Sequence, residues 1–455
     1  MNILQRSYLK LADTKKGKRV WIQGLRLEEA GYHIGTCYEV DYDDDNARVT
    51  LTITDDGSNK VSRKKVGDNY LPLIDIVNQQ LESTFGDIDR VQVVITEGCI
   101  CIEYHLFDRM KVERERKLEA VLRAGGALTT ASVAHGAGLM DFYLHQGFAS
   151  EGLRCGQIWA LEPVNDYLQT SLRNNPIWSY ESQAIEGRIE DIDSRDLNSP
   201  LVLLAGLPCT GASRSGRVKN KLAFAEQHET AGTAFIGWLQ LIRQLSPSIL
   251  VLENVEAYQS TVSMHMIRET LSDWRYTIHE TIIGSELGAF EDRKRMCMVA
   301  VSSGIDFKFD LKPVRQAERT LGEILDDVPL DSDRWKPVQY LHDKELRDKK
   351  SGKGFSMQIV TDKSTKVKTI GAGYAKWRST EPLIQHPVDK KLKRLLTVRE
   401  HCRVKGIDEK LVAGLSATKA HQCLGQSVLG PAFQAVGRNI AECLNRQYRK
   451  LDAVA

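Results

Sequence analysis

No run of eighteen apolar residues occurs anywhere in the 455-residue chain, so a membrane-spanning helix of ordinary length is not expected. No charge of one sign prevails: 62 Lys and Arg stand against 60 Asp and Glu, a formal +2. A nucleic-acid partner would therefore have to meet a local basic face and not bulk charge. Among nine cysteines, Cys99 and Cys101 are the only close pair, and their spacing suits neither a zinc knuckle nor a redox pair. Two apart on a strand they share a face and read as small hydrophobes, so no metal is expected and a reducing cytoplasm fits best. The segment Met1-Asn2-Ile3-Leu4-Gln5-Arg6 has no apolar signal core, and no repeat or low-complexity tract stands out. What is present is ordinary globular composition, 42% hydrophobic and 27% charged, over a length that calls for two or three domains.

Shifts in pattern divide the chain. Residues 1–110 read as a β-rich module, with strand-like runs at 19–22, 48–53 and 91–95 and turn chemistry at 41–46 and Asp55-Asp56-Gly57. Residues 111–126 read as a linker. Arg, Lys and Glu are dense from Phe107 to Arg123, which predicts a solvated connecting helix, and Gly125-Gly126 ends it. Across 127–304 strand-like and helix-like runs alternate, the pattern of an α/β domain whose parallel sheet is covered by helices. There Ala234, Trp238, Leu241 and Leu245 share one helical face, and Pro247 stops that helix before the next strand. Residues 305–390 break the alternation; they are rich in Lys, Asp, Gly and Ser, with isolated aromatics. Residues 391–455 return to helical periodicity.

Chemistry-bearing side chains gather where apolar runs end. Leu203-Leu204-Ala205-Gly206-Leu207 runs into Pro208-Cys209 and a small-residue loop. Ile249-Leu250-Val251-Leu252 ends in Glu253-Asn254, and Glu291-Asp292-Arg293-Lys294-Arg295 leads into the apolar 296–301. Singly each has a bland reading: Pro-Cys usually packs, a Glu after a strand usually caps or pairs, and Arg-Lys-Arg is usually a solvated edge. In this order, thiol, carboxylate and paired guanidinium resemble the carbon-5 cytosine-specific DNA methyltransferases.

That resemblance implies a Rossmann-like, S-adenosylmethionine-dependent fold and a bacterial or phage-borne enzyme that methylates cytosine in double-stranded DNA. Its chemistry suits the residues. Cytosine is electron-poor at carbon 6, and a thiolate added there makes carbon 5 nucleophilic, which assigns the attack to Cys209. Glu253 is expected beside ring nitrogen 3, and Arg293 or Arg295 at the carbonyl oxygen.

The cofactor side of the resemblance lies in residues 132–139, Ser-Val-Ala-His-Gly-Ala-Gly-Leu, where Gly136, Gly138 and Leu139 stand at the family's glycine-rich loop. The acidic residue and the Phe that open that loop in the family are absent. Glu162, at the end of Trp159-Ala160-Leu161-Glu162, matches the acid that takes the ribose hydroxyls, and Arg188 stands where the family has an adenine-binding acid. Thr397-Val398-Arg399-Glu400 and Gly406-Ile407 resemble a mostly architectural block. Leu424-Gly425-Gln426-Ser427-Val428 resembles Gly-Asn-Ser-Val, which assigns Ser427 and Val428, with Pro208, to the cofactor pocket.

Carbon 6 is hidden in a duplex, so the base must be flipped out. The basic loop 214–221 is expected to close over it, with Arg214, Arg217 and Lys219 on phosphates. In the target-recognition region, Lys376 and Arg378 with Tyr374 and Trp377 suit a nucleic-acid face. Segments 19–35 and 93–100 are similar to AbrB/SymE-type swapped-hairpin modules, which implies DNA binding or a homodimer through the N-terminal module. Two other readings stay open: a tRNA cytosine-5 methyltransferase, and a non-catalytic DNA-binding regulator that retains the fold.

Overall fold

The alternation in Arg90–Thr96 sends Val91, Val93 and Ile95 to one side, and all three are buried in a strand. In the computed structural model, which describes residues 2–208, 226, 232–314, 319–352 and 354–452, the chain divides into two compact units, Met1–Glu113 and Arg114–Ala455.

The first unit carries β1 (Ile3–Lys10), β2 (Ala12–Thr14), β3 (Gly17–Gln23), β4 (Cys37–Asp43), β5 (Arg48–Ile53), β6 (Asn59–Lys60), β7 (Ser62–Val66), β8 (Asn69–Asn78), β9 (Arg90–Thr96) and β10 (Cys99–Tyr104). They form two antiparallel sheets, ordered β1-β9-β10-β5-β4-β6 and β2-β3-β8-β7. Val20 and Ile22 of β3 share one core with Leu51 of β5, Val93 of β9 and Ile100 of β10. Tyr32 is buried among them and its hydroxyl donates to the Leu51 carbonyl at 2.7 Å, so the one polar atom it buries is satisfied. Cys99 and Cys101 are half-buried on the face opposite Ile100 and Ile102, as small hydrophobes would be. The segments that carry the swapped-hairpin resemblance fall in different sheets, for β3 pairs with β2 and β8 while β9 pairs with β1 and β10.

The helix Leu106–Arg123 corrects one expectation: beyond residue 113 it is not a solvated connector. Leu118 is fully buried in the core of the second unit, with Val121 and Leu122 packed against the same cluster. Arg114 is buried too, its Nε donating to Ser302 Oγ at 2.8 Å and its guanidinium lying 3.8 Å from the Tyr276 ring. A charge-rich helix can still present one apolar stripe, and that stripe decides its packing.

In the second unit β11 (Leu128–Val133), β12 (Cys155–Glu162), β13 (Gln183–Glu186), β14 (Val202–Ala205), β15 (Ile249–Val255), β16 (Tyr276–Ile283) and β18 (Arg295–Ser302) make a seven-stranded sheet; β17 (Glu291–Asp292) lies between the last two in sequence. The order is β13-β12-β11-β14-β15-β18-β16, parallel from β13 to β15, with β18 antiparallel to both neighbours. Every residue of β14 is buried, as a strand covered on both faces requires. The helices Leu139–Ser150 and Gly430–Asp452 supply one covering layer, and Ala234–Leu245 and Val262–Asp273 the other. The order reverses between β11 and β14, and a crevice for ligands opens beyond the carboxyl ends of strands at such a reversal.

Beyond β18 a small four-stranded sheet pairs Lys336–Pro337, Leu392–Arg394, Pro382–Gln385 and Gln358–Val360. Val367–Lys368 pairs in parallel with β17, which brings this region to the segment that enters β18. The helix Val398–Lys405 opens on the capping box that Thr397 and Glu400 form, each taking the other's backbone N–H.

Candidate active site

Three strand ends meet at the reversal. After β14 the chain passes through buried Leu207 to exposed Pro208; Cys209 itself, with Arg214, Arg217 and Lys219, lies outside the described residues. Next to β14, β15 ends at Glu253-Asn254-Val255. Antiparallel β18 begins beside it, with Val255 opposite Arg295. That register makes Glu253 and Arg295 diagonal neighbours. Arg295 Nε lies 2.9 Å from Glu253 Oε1, and the side chains are 14% and 12% exposed, a desolvated pair that still reaches the crevice.

Arg293 stands apart from that pair. Its side chain is 3% exposed and donates to the carbonyls of Ile370 at 3.2 Å and Gly425 at 3.0 Å. Fully buried Glu291 accepts from the Ile370 N–H at 2.7 Å, and Lys405 Nζ lies 2.5 Å from its other oxygen. Burial, then the Arg293 charge, pushes the Lys405 ammonium below its ordinary range. Burial opposes ionisation of Glu291 as well, but Lys405 and Arg293 outweigh it and hold the carboxyl below its usual value. Of the paired guanidinium groups, one therefore faces the crevice and the other ties the segment entering β18 to residues 370 and 425.

Asn254 went unremarked in the sequence, where it is simply the residue after Glu253. It is buried, and its Nδ2 donates to the Leu207 carbonyl at 3.0 Å while its Oδ1 accepts from the Val255 N–H. It thereby ties Leu207 to the end of β15. Cys297, which faces Glu253 across the ladder, is buried and its thiol is pushed up by burial, then by the Glu253 charge. Burial likewise raises Cys101, Cys155, Cys402 and Cys423, the opposite of what a nucleophilic thiol needs.

On the other side of the reversal, β11 ends in the turn 134–138. Gly136 has φ +60° and Gly138 φ +72°. A Cβ on Gly138 would sit 2.6 Å from both Asn175 Nδ2 and His135 Nε2, so that glycine serves packing. A Cβ on Gly136 would meet nothing within 4 Å, so its open side is the one a ligand can approach. The Gly136 N–H donates at 2.7 Å to Glu162 Oε2, at the end of β12, and the Val164 N–H donates at 3.0 Å to Oε1. Burial raises the Glu162 carboxyl, and those two N–H groups oppose it. Leu139 and Val428 are buried in the same core cluster, and Ser427 Oγ donates to the Leu424 carbonyl.

Beneath this turn lies a network that residue spacing did not disclose. His135 is buried between Ser132 Oγ and Ser171 Oγ, each at 2.8 Å, with Asp141 Oδ1 3.2 Å from its Nδ1. Gln157 donates to Ser132 Oγ and Asp141 Oδ1. Burial works against ionisation of Asp141, but the charge and hydrogen bond of His135, with a hydrogen bond from Ser132, hold it below the usual carboxylate range. The only signal in the sequence is polar residues at positions where a strand and a helix otherwise present apolar ones.

Lys376 and Arg378 are exposed, as a nucleic-acid face requires, and Trp377 is half-buried. Tyr374 is not on that face: it is fully buried, its hydroxyl donating to the Pro382 carbonyl and accepting from the Leu396 N–H. Aromatic character in a basic segment read as surface because the core that covers Tyr374 comes from distant residues, Phe290 and Val404 among them.

A seven-stranded sheet in this order, with a glycine turn after its first strand in sequence, β11, and a buried acid at the end of the next, is the architecture of Rossmann-like methyltransferases that use S-adenosylmethionine. Within that class the family described as C-5 cytosine-specific DNA methylase matches residues 137–442, more than half of the chain, and the chain belongs to it. It is 28% identical over 273 residues to the Type II methyltransferase M1.ScrFI of Lactococcus lactis subsp. cremoris, covering 57% of this chain and 67% of that protein. It is 27% identical to the Type II methyltransferase M.SsoII of Shigella sonnei, covering 57% and 69%. Its fold is similar to that of the S. pombe Dnmt2 methyltransferase, with a TM-score of 0.54 at 15% identity over 70% of this chain and 99% of that one. The Entamoeba histolytica methyltransferase EhMeth gives 0.55 at 18% over 70% and 98%. Among the described residues no helix is long and apolar enough to cross a membrane, and no group of side chains is suited to hold a metal ion.

Proposed function

We propose that this chain methylates carbon 5 of cytosine in duplex DNA, with S-adenosylmethionine as methyl donor and Cys209 as nucleophile. The observation that carries the reading is the 2.9 Å contact of Glu253 with Arg295, at the end of the strand beside the one that leads to Cys209. A carboxyl and a guanidinium fixed together can meet nitrogen 3 and the carbonyl oxygen of one ring, which are adjacent on cytosine.

The Cys209 sulfur bonds to carbon 6, and electron density displaced from the carbon 5–carbon 6 double bond makes carbon 5 the nucleophile. Glu253 in its protonated form donates to nitrogen 3 as negative charge builds there and takes the proton back when carbon 5 receives the methyl group, while Arg295 orients Glu253 and donates to the carbonyl oxygen. Asn254 holds the Leu207 carbonyl and with it the approach of Cys209. When bound, the donor supplies an electrophilic sulfonium methyl. Loss of the carbon-5 proton then expels Cys209 and restores the ring. Glu162 and the open side of Gly136 would hold the donor, with Pro208, Leu139, Ser427 and Val428 around them; Gly138 keeps the turn close-packed. Arg214, Arg217, Lys219, Lys376 and Arg378 would meet phosphates of the DNA.

A duplex carrying 5-fluorocytosine tests the reading, because fluorine cannot leave as the proton does and the adduct is trapped. With donor present, the wild-type chain is expected to give a covalent protein–DNA species that survives denaturation, and Cys209→Ser none. A wild-type chain that forms no adduct on any cytosine context overturns it. Labelled donor offered alongside duplex DNA and tRNA separates this reading from methylation of RNA.

A further inference from the structure

In the first unit, β7 is the edge of the smaller sheet and joins β8 through Gly67-Asp68, with Val66 opposite Asn69. A two-residue turn with Gly67 at φ +61° matches the twist of the two strands, so they stay paired up to the turn. Every residue of β7 is exposed except half-buried Lys64, and Val66 and Tyr70 are 48% and 47% exposed, so the end of this ribbon is covered on neither face. Between Asn59 and Leu71 stand Lys60, Arg63, Lys64 and Lys65 against Asp68 alone, in a chain whose charges otherwise nearly cancel.

The alternation distributes these cations. Arg63 and Lys65 share one face, where the Arg63 guanidinium lies 4.8 Å from the Tyr70 ring. Lys64 takes the other face, where it donates to Gln23 Oε1 at 2.7 Å and approaches the Trp21 ring at 5.6 Å. There Arg19 lies 4.6 Å over the same ring and donates two 2.8 Å hydrogen bonds to the Asp75 carboxylate oxygens, which neutralise it. A single lysine suffices to guard an edge strand against aggregation. Three consecutive cations on both faces, braced by aromatic rings, exceed that need.

We infer that the β7–β8 ribbon is a second nucleic-acid contact, a basic finger that enters a groove of duplex DNA. A two-stranded ribbon matches the roughly 12 Å width of the major groove, and cations on both faces then reach the phosphates of both walls. The finger binds backbone without reading bases, so it adds affinity that does not depend on sequence and holds the chain on DNA between target sites. Such binding does not require Cys209 chemistry and can be measured without methyl transfer.

The experiment measures anisotropy of a labelled 30-base-pair duplex made only of A·T pairs, titrated with the full-length chain at several salt concentrations. In Arg63→Gln/Lys64→Gln/Lys65→Gln, affinity at low salt is expected to fall at least tenfold, and the slope of log K against log salt to shrink by about 2 to 3, one phosphate per cation. The charge-preserving Arg63→Lys/Lys65→Arg is expected to keep the wild-type slope, which separates charge from fold. Unchanged affinity and slope in the triple variant overturn the inference, as does a loss confined to double-stranded RNA. A triple variant that binds poorly yet still forms the 5-fluorocytosine adduct at high concentration supports the finger and leaves the catalytic reading intact.

Discussion

Glu253 with Arg295 and Glu291 with Arg293 are two acid–guanidinium pairs within one short stretch of strand ends, and they have opposite surroundings. The first retains exposure to the crevice. The second is sealed, with Lys405 as a third charge and the Ile370 and Gly425 backbone as its partners. Strand alternation would put Arg293 and Arg295 on one face, but residues 293 and 294 lie in the break between β17 and β18, so the pairing partner changes between them and the two side chains diverge. The difference teaches that the same side-chain types do chemistry in one place and architecture in the other. The sharpest way to break the comparison is to remove each pair in turn. Glu253→Gln and Arg295→Ala are expected to lower single-turnover methyl transfer by about a hundredfold to a thousandfold, the scale of one preorganised transition-state contact, with little loss of stability. Arg293→Ala giving an equal loss of transfer with no loss of stability would erase the distinction.

The sealed cluster should show the reverse profile. Glu291→Gln alone leaves Lys405 and Arg293 without their counter-charge, and Lys405→Gln alone leaves Glu291 short of one. Each is expected to cost about 3 to 5 kcal/mol in urea unfolding, the scale of an uncompensated buried charge. The double variant Glu291→Gln/Lys405→Gln removes both charges and keeps side-chain volume, and should recover most of that loss. Retention of the full loss in the double variant would mean that shape and not charge governs the cluster.

How much of this was legible follows from where each partner lies in the chain. The α/β sheet and its strand ends could be read because an apolar run and the polar residue that ends it are adjacent in sequence. Glu253 and Arg295 were visible on that ground. That Arg293 turns inward was not, because its partners are residues 370 and 425, some 80 and 130 positions away. The Ser132–His135–Asp141–Gln157 network spans two strands and a helix, so no spacing rule announces it. Tyr374 misled for the same reason: a basic neighbourhood in sequence says nothing about the core that closes over one ring. The β7 ribbon was missed as a strand because Ser62-Arg63-Lys64-Lys65 lacks the apolar alternation that marks one, which is itself a consequence of its being uncovered on both faces.

Three histidines, His401 and His421 buried and His145 half-buried, extend the contrast to acid. His145 and His421 are pushed down to about 4 by burial. His401 is lowered as well, by burial and then by the Lys405 charge. In the unfolded chain all three return to about 6.5, so between pH 6.5 and 4 the unfolded state binds more protons than the folded one. Stability is then fully present above pH 6.5 and declines as pH falls through that window; below it His145 and His421 take nothing further. Each contributes a slope of at most about 1.4 kcal/mol per pH unit. His145→Gln, which can still meet Thr130 Oγ1, now 2.8 Å from His145 Nε2, is expected to flatten the decline by one such share in urea midpoints taken at pH 7.5, 6 and 5. An unchanged slope would mean that His145 is reached by solvent protons in the folded chain, and that the layer beneath the glycine turn is less sealed than the cluster around Lys405.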